Sequence, residues 1–475
     1  MKTGSLLIKN FFSLVFADTA AKVLGFVVTV YLARRLDPSY FGILTFSASI
    51  VSYFTFMIDP GLTSYGVKTI AQDPADLKTH AGEVFTIRLY LAALAMVSIA
   101  LITLTLRQPL MVKALILIYS LSLIPQALSP GLVYAGMQKM EMMGLYTIMN
   151  SVVYTVLIFL FVKSADNILL IPLFMALGSM AANVVLLIPL VKNSGIGLVR
   201  VGLGRMVAVI KQSLPIGIAS FLAFIVTWNA STSLLGLLST HSEVGCFSMA
   251  FKICMIIISA SLSLGMAILP AISQHYLTSR DTANKVVLLT EKALFLLGIP
   301  LIAGTIVVAE PLMIYAIGAK YMNSVLPLQI AIGGAVLFAF NMVYYTYLVA
   351  ADKQQENMYI SLFRALLLIA LSVPLIIHAG AAGAAIAYTS GEFITLLVYR
   401  ARSGIREAEN LFSAAFKPLI ASAAMCAALL AVKDLNVILR IAGGAALYFT
   451  VLLVIKGVKV SEIGKLRDYI RNRHR

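Results

Sequence analysis

Residues 11–62 read FFSLVFADTAAKVLGFVVTVYLARRLDPSYFGILTFSASIVSYFTFMIDPGL. Two apolar runs, 11–33 and 41–62, each reach the length of about twenty residues that spans a bilayer as a helix. Only a short turn carrying Arg34, Arg35 and Asp37 separates them. Asp18 and Lys22 interrupt the first run, and Ala33-Arg34-Arg35 is a poor cleavage context, so a retained first helix is expected rather than a signal peptide. A hairpin of two spans is the unit from which a polytopic membrane protein is built.

Further apolar runs recur at about 84–106, 112–134, 144–163, 168–191, 213–238, 244–271, 286–309, 325–350, 358–379, 381–400, 413–432 and 436–456, for about fourteen in all. The composition agrees. Of 475 residues, 60% are hydrophobic and 12% charged, against about 45–50% and about 25% in soluble domains. The 36 Lys+Arg and 20 Asp+Glu leave a net charge of +16. In a nucleic-acid-binding protein such an excess would gather into one basic patch. Here it is scattered between apolar runs, so no nucleic acid is expected as a partner.

That scatter has a direction. With the N-terminus inside and the runs alternating, inside segments hold about 26 basic residues and outside segments about 8, as cytoplasmic loops should. The expected fold is therefore an all-α polytopic membrane protein of about fourteen transmembrane helices, both termini cytoplasmic, in the plasma (inner) membrane.

Other classes are excluded by what the chain lacks. Cys246, Cys254 and Cys426 have neither a disulfide-framework nor a zinc spacing, and the five histidines form no HExxH pair. No metal site is expected. There is no GxxxxGK[ST] loop for an ATP-driven pump. The outside loops are short and Asp37, Asp166, Glu243, Glu310 and Asp434 are isolated on them, which argues against a membrane-embedded glycan-modifying enzyme.

The basic, glycine-containing stretch 193–212 divides the chain into an N-lobe over 1–192 (helices 1–6) and a C-lobe over 213–402 (helices 7–12). Residues 403–475 supply helices 13–14 and a basic cytoplasmic tail. The linker reads either as an interfacial segment with its Lys/Arg at anionic headgroups or as a solvated loop. Both lobes open their second helix alike, with an external turn and a hydrophobic–Gly pair: Tyr40-Phe41-Gly42 in one, Glu243-Val244-Gly245 in the other, an offset of about 202–203 residues. Repeats of this kind imply two bundles with a pathway between them.

Several segments carry a family signature. They are Ala33-Arg34-Arg35-Leu36-Asp37-Pro38-Ser39-Tyr40-Phe41-Gly42, Asp59-Pro60-Gly61-Leu62, Gly66-Val67-Lys68-Thr69-Ile70-Ala71, Leu326-Pro327-Leu328-Gln329-Ile330, Ala350-Ala351-Asp352-Lys353-Gln354 and Ala379-Gly380-Ala381-Ala382-Gly383-Ala384-Ala385-Ile386-Ala387. With them the chain resembles the polysaccharide (Wzx-type) lipid-linked oligosaccharide flippases of the multidrug/oligosaccharidyl-lipid/polysaccharide exporter superfamily. Asp37 stands where that family usually has glycine. The resemblance implies two six-helix lobes around a central cavity plus two C-terminal helices. It also implies a non-enzymatic carrier that moves a polyprenyl-diphosphate-linked glycan across the bilayer, together with other polysaccharide-assembly membrane proteins. A lipid II flippase and a cation-coupled multidrug antiporter of the same superfamily remain open alternatives.

Ionisable groups within spans are costly and usually face a cavity or a partner. Asp18 and Lys22 lie four apart on one helical face, either as a self-satisfied pair or as cavity lining. Lys252 lies deep in helix 8 with no acid at a neighbouring helical position. Lys22 and Lys252, with Arg34 and Arg35 at the outer end of helix 1, are the expected cationic substrate-binding residues for an anionic diphosphate. Asp18 and Glu392 are the candidates for coupling H+ or Na+. No other cofactor is expected. Arg88 and Arg364, about one turn from the inner surface, are expected to snorkel. Asn150, Asn183, Asn229 and Asn341 are expected to hydrogen-bond between helices, and the Gly/Ala run 379–387 to allow close packing.

Overall fold

The computed structural model describes residues 2–221, 227–405 and 411–457. Among them the chain is helical, with no strand. Twelve helical stretches in this part are long and apolar enough to cross a membrane. The expected pair 358–379 and 381–400 falls inside one of these, Gln354–Ser403, and the expected span 213–238 runs through the undescribed residues 222–226. The basic tail expected at the C-terminus lies outside the described residues beyond 457. The chain forms two compact units, Met1–Asn229 and Ala230–Arg475.

In the first unit, α1 (Lys2–Arg35) and α2 (Pro38–Ile58) form the opening hairpin, and α3 (Leu62–Gln72) continues α2 beyond a break. Then come α4 (Leu77–Thr105), α5 (Leu110–Ser120), the short α6 (Leu123–Ala127) and α7 (Gly131–Gly136), α8 (Met140–Phe161), α9 (Leu170–Ser194) and α10 (Leu203–Ser220). α1 lies on α8, where Tyr31 stacks on Phe159 with ring centroids 4.3 Å apart and donates its hydroxyl to the Val162 carbonyl at 2.8 Å. α3, α4, α7, α9 and α10 share a core that includes Leu62, Val84, Ile87, Leu132, Leu186 and Val209. Tyr134 donates to the Leu186 carbonyl inside it.

The stretch expected as a linker at 193–212 is largely structured. α9 ends at Gly195, in the left-handed region at φ +61°, and helix resumes at Leu203. Between them the chain is strapped to α4. Ile196 enters the shared core, and the Val199 amide donates to Thr86 Oγ1 at 3.1 Å. A Cβ on Gly82 would come within 2.5 Å of the Gly197 carbonyl oxygen. Arg205 makes two hydrogen bonds of 3.0 Å to Glu83, and those bonds and the carboxylate charge hold its guanidinium above the ordinary arginine value. A free solvated loop is therefore not what this segment forms. The break between the two units falls after the linker, within the seventh expected span, because α10 packs with α3 and α4.

In the second unit, α11 (Thr227–Leu238) precedes the long α12 (His241–Thr278) and α13 (Arg280–Ala316), then α14 (Val325–Ala350) and α15 (Gln354–Ser403). α16 (Leu411–Ala431) and α17 (Val437–Val454) close the described chain. They pack on α13 through Val308, Met425, Leu429 and Tyr448, and Tyr448 donates to the Leu296 carbonyl at 2.7 Å. Arg440, buried on α17, donates to the Leu429 carbonyl near the end of α16 at 3.0 Å. A cation there satisfies carbonyls that the helix end leaves without partners.

α15 is two helices joined at Gly380, whose φ of +51° and ψ of −127° lie outside the helical range. Glu243, in the first turn of α12, accepts the Ala381 amide at 2.6 Å and so caps the helix that leaves the turn. The fold-back is tight: a Cβ on Gly383 would stand 1.9 Å from the Leu375 carbonyl oxygen. Residues eight apart in a straight helix are separated by about 12 Å. Gly383→Ala is therefore expected to lower stability by more than the roughly 1–3 kcal/mol of ordinary overpacking, because backbone must move. Gly391→Ala, where a Cβ meets nothing within 4 Å, should instead stabilise by about 0.5–1 kcal/mol. Thermal unfolding of the two variants in one detergent checks the contrast.

Candidate functional site

Each unit buries an arginine–carboxylate pair. In the first, α2 stops at Ile58 because Asp59-Pro60-Gly61 cannot continue it: Gly61 has φ +90°, a conformation L side chains rarely adopt. The break frees Asp59 to turn its carboxylate onto the start of α3. Oδ1 accepts the Thr63 amide at 2.8 Å and Oδ2 accepts the Thr63 hydroxyl. From α4, Arg88 reaches the same Oδ2 at 2.5 Å and also donates to the Thr63 hydroxyl. Arg88 is 4% exposed and Asp59 29%. α10 presses on the break, with Gly217 so close that a Cβ would lie 2.4 Å from the Pro60 carbonyl carbon.

In the second unit, Arg364 on the first half of α15 pairs with Glu392 on its second half, and its guanidinium sits 5.1 Å from the Phe338 ring centroid. Glu392 is 2% exposed. Asn341 on α14 donates its amide to the Glu392 carboxylate at 2.8 Å and to the Glu392 backbone carbonyl at 3.0 Å. One turn further along α14, Tyr344 donates its hydroxyl to Glu291 on α13 at 2.6 Å.

Arg88 and Arg364 therefore do not snorkel as expected. Each is enclosed because an acid from another helix meets it, which an isolated helix does not reveal. Asn341, Asn183 and Asn150 do bond between helices: Asn183 donates to the Pro125 carbonyl at 2.5 Å, and Asn150 accepts the Ser179 hydroxyl at 3.2 Å.

The residues singled out in the sequence are placed as follows. Asp18 and Lys22 form an ion pair of 2.7 Å along α1, and both are more than half exposed. Arg34 and Arg35 are exposed at the end of α1, with the Arg35 guanidinium 5.5 Å from the Tyr31 ring centroid. Lys252 lies on the exposed face of α12, which also carries Ile256, Ser263, Met266 and Gln274. It makes no ion pair among the described residues. Glu392, proposed above as a coupling acid, is fully engaged by Arg364 and Asn341. The sequence reading did not single out Asp59 as a charge partner, nor Glu291 at all. The Pro-Gly step after an apolar run was a usable signal for the break at Asp59.

One potential cluster of metal ligands exists among the described residues: Asp73, Asp76 and His80 each bring a ligand atom within 4.8 Å of the others. Both acids are exposed, and His80 already lies 3.6 Å from Asp73.

A family model described as Polysaccharide biosynthesis protein matches residues 7–276, more than half of the chain. The chain belongs to this family. The matched region contains the 33–42 and 59–71 signature segments, the Asp59–Arg88 pair and Lys252. A second model, MatE, matches residues 215–373. The putative O-antigen transporter of Escherichia coli (strain K12) is 26% identical over 357 residues, covering 72% of this chain and 84% of that protein. Among solved structures, the lipid II flippase MurJ in an inward closed conformation aligns with a TM-score of 0.74 at 13% identity, over 93% of this chain and 98% of that one. An inward-facing MATE multidrug transporter of the MOP superfamily aligns with a TM-score of 0.64 at 15% identity, over 82% and 96%. At those identities the likeness shows a shared fold. This member of the polysaccharide biosynthesis family is a multi-pass membrane protein with the helical fold of those transporters.

Proposed function

We propose that the protein is a carrier, not an enzyme. It moves a polyprenyl-diphosphate-linked oligosaccharide from the cytoplasmic to the outer leaflet of the plasma (inner) membrane by alternating access, for cell-surface polysaccharide assembly. Family membership and the O-antigen transporter relative support the substrate class. The observation that carries the reading is the pattern of charge pairing. Asp18, Asp59 and Glu392 each meet a base, whereas Lys252 meets no acid among the described residues. Glu291 also lacks a base among those residues but is 2% exposed and so closed to a ligand. That leaves positive charge at the exposed Lys252, which suits a diphosphate and opposes the cationic substrates of an antiporter. Lys22 is compensated by Asp18, so Lys252 is the stronger anion contact, with Arg34 and Arg35 as further cations on α1. Other membrane proteins of polysaccharide assembly would supply and receive the glycan.

Two negative charges moved outward along an inside-negative potential release about 2.3 kcal/mol each per 100 mV. That drive requires no nucleotide and no bound cofactor. A coupling H+ or Na+ at Asp18 or Glu392 would first have to displace Lys22 or Arg364. The second reading, a lipid II carrier, is favoured by the fold shared with the MurJ structure.

Deleting the gene should trap a lipid-linked glycan on the inner leaflet, and its sugars separate the two readings. A charge-assisted contact is worth about 1.5–3 kcal/mol, so Lys252→Ala should slow flipping in proteoliposomes by about 10–100-fold, with Lys252→Arg partly restoring it. Wild-type flipping by a stably inserted Lys252→Ala protein would overturn the cationic contact. Changed drug susceptibility on deletion, with normal surface glycan, would favour the antiporter.

A further inference from the structure

Glu291 is 2% exposed, one turn along α13 from Val287 and bonded to Tyr344 of α14, both members of the second unit's apolar core. Its Oε1 accepts the Tyr344 hydroxyl at 2.6 Å, while its Oε2 is buried with no hydrogen-bond partner. No ion pair to it occurs among the described residues. In this it differs from Asp18, Asp59 and Glu392, each of which has a base in contact.

The internal repeat sharpens the contrast. α2 and α12 begin at Pro38 and His241, and α4 and α13 at Leu77 and Arg280, the same offset in both cases. At that offset Glu291 corresponds to Arg88, and Arg88's partner Asp59 corresponds to Leu262. The first repeat supplies its buried charge with a counterion. The second repeat puts leucine in that place.

We propose that Glu291 is a proton-exchange site, the group at which this carrier takes up and releases a coupling proton. A carboxylate with one hydrogen bond in an apolar core is an uncompensated buried charge, a costly state. Binding H+ converts –COO− to –COOH and removes that charge without any further partner. The groups around it define the exchange. From α14, Tyr344 holds Oε1. From the second half of α15, Arg400 acts on Glu291 through its charge but is not in ion-pair contact. α12 brings Tyr276 onto Tyr347 of α14 in the same cluster, and α13 itself brings Asn284 and Arg280 to that Tyr347 hydroxyl. Lys292 follows on α13. α16 and α17 pack on α13 through Val308, Met425, Leu429 and Tyr448, whose hydroxyl is bonded to Leu296, and α16 also buries the Ser422 hydroxyl. When the proton leaves, the carboxylate has the Tyr344 hydroxyl at 2.6 Å and no base in ion-pair contact among the described residues. As a coupling device this rests on the carrier reading. As a proton site it does not.

The test is infrared difference spectroscopy on the purified wild-type protein in nanodiscs, titrated from acid to alkaline pH without substrate. The expected result is a carbonyl band of a dry carboxylic acid that is lost in Glu291→Gln. The band should persist in Glu392→Gln and shift to higher frequency in Tyr344→Phe, where the acid keeps its proton but loses its hydrogen bond. Absence of such a band, or its survival unchanged in both Glu291→Gln and Tyr344→Phe, overturns the proton site. In proteoliposomes, flipping of the lipid-linked glycan should respond to an imposed pH gradient in wild type and lose that response in Glu291→Gln. A response that persists in Glu291→Gln overturns the coupling role. Wild-type protein that shows the band but flips no lipid-linked glycan refutes the carrier reading while leaving the proton site supported.

Discussion

Arg364→Ala should cost about 3–5 kcal/mol of stability, the range for removing one partner of a buried ion pair. The loss is large because of what remains. Glu392 is 2% exposed and would keep only the Asn341 amide at 2.8 Å. Water cannot easily replace the guanidinium, since Phe338 lies across it and Tyr388 is buried in the same region. Arg364 also connects the two halves of α15, so its loss frees the hairpin that turns at Gly380. Arg364→Leu combined with Glu392→Leu removes both charges and should recover most of the loss, because a matched buried pair stabilises little relative to apolar packing. Thermal unfolding in detergent of the single and double variants measures this. A single variant that melts with the wild type would show that Glu392 finds another base.

The spans were legible because a bilayer imposes length and hydropathy on each one, and the hairpin 11–62 already displays both. The local pair Asp18–Lys22 was legible for a related reason: residues four apart on a helix meet whatever the tertiary structure does. Lys252 could be recognised as unusual because no acid stands near it along its own helix. The interhelical pairs were hidden. Asp59 meets Arg88 only because α2 breaks at Gly61, and Arg364 meets Glu392 only because α15 folds back at Gly380. Neither geometry follows from hydropathy. Glu291 was hidden in another way. It falls inside the expected span 286–309 but stands among Lys285, Lys292 and Asp281 in sequence, and only the structure shows α14 covering it. The linker shows the same limit. Its basic residues mark an interfacial segment, but the glycines that let it lie against α4 reveal their purpose only beside Gly82.

Asp59→Ala should destabilise the first unit by about 3–5 kcal/mol, and more than Arg88→Ala does. The two variants break one pair, so a pair energy alone predicts equal effects. The burial is unequal: Arg88 is 4% exposed and Asp59 29%. Without Asp59, the guanidinium stays enclosed with only the Thr63 hydroxyl to accept from it. Without Arg88, the carboxylate can reach water and still accepts the Thr63 amide at 2.8 Å. Asp59→Ala also leaves the Thr63 amide in the first turn of α3 without its acceptor, which adds about 1 kcal/mol as for a lost helix cap. Asp59→Asn separates the contributions, since it keeps an oxygen for the Thr63 amide while losing the charge, and it should fall between wild type and Asp59→Ala. Equal melting shifts for Asp59→Ala and Arg88→Ala would mean that α10, pressing on Pro60 through Gly217, shields Asp59 from water even when its partner is gone. The order of the three variants therefore reports whether the break in α2 is open to solvent on its acidic side.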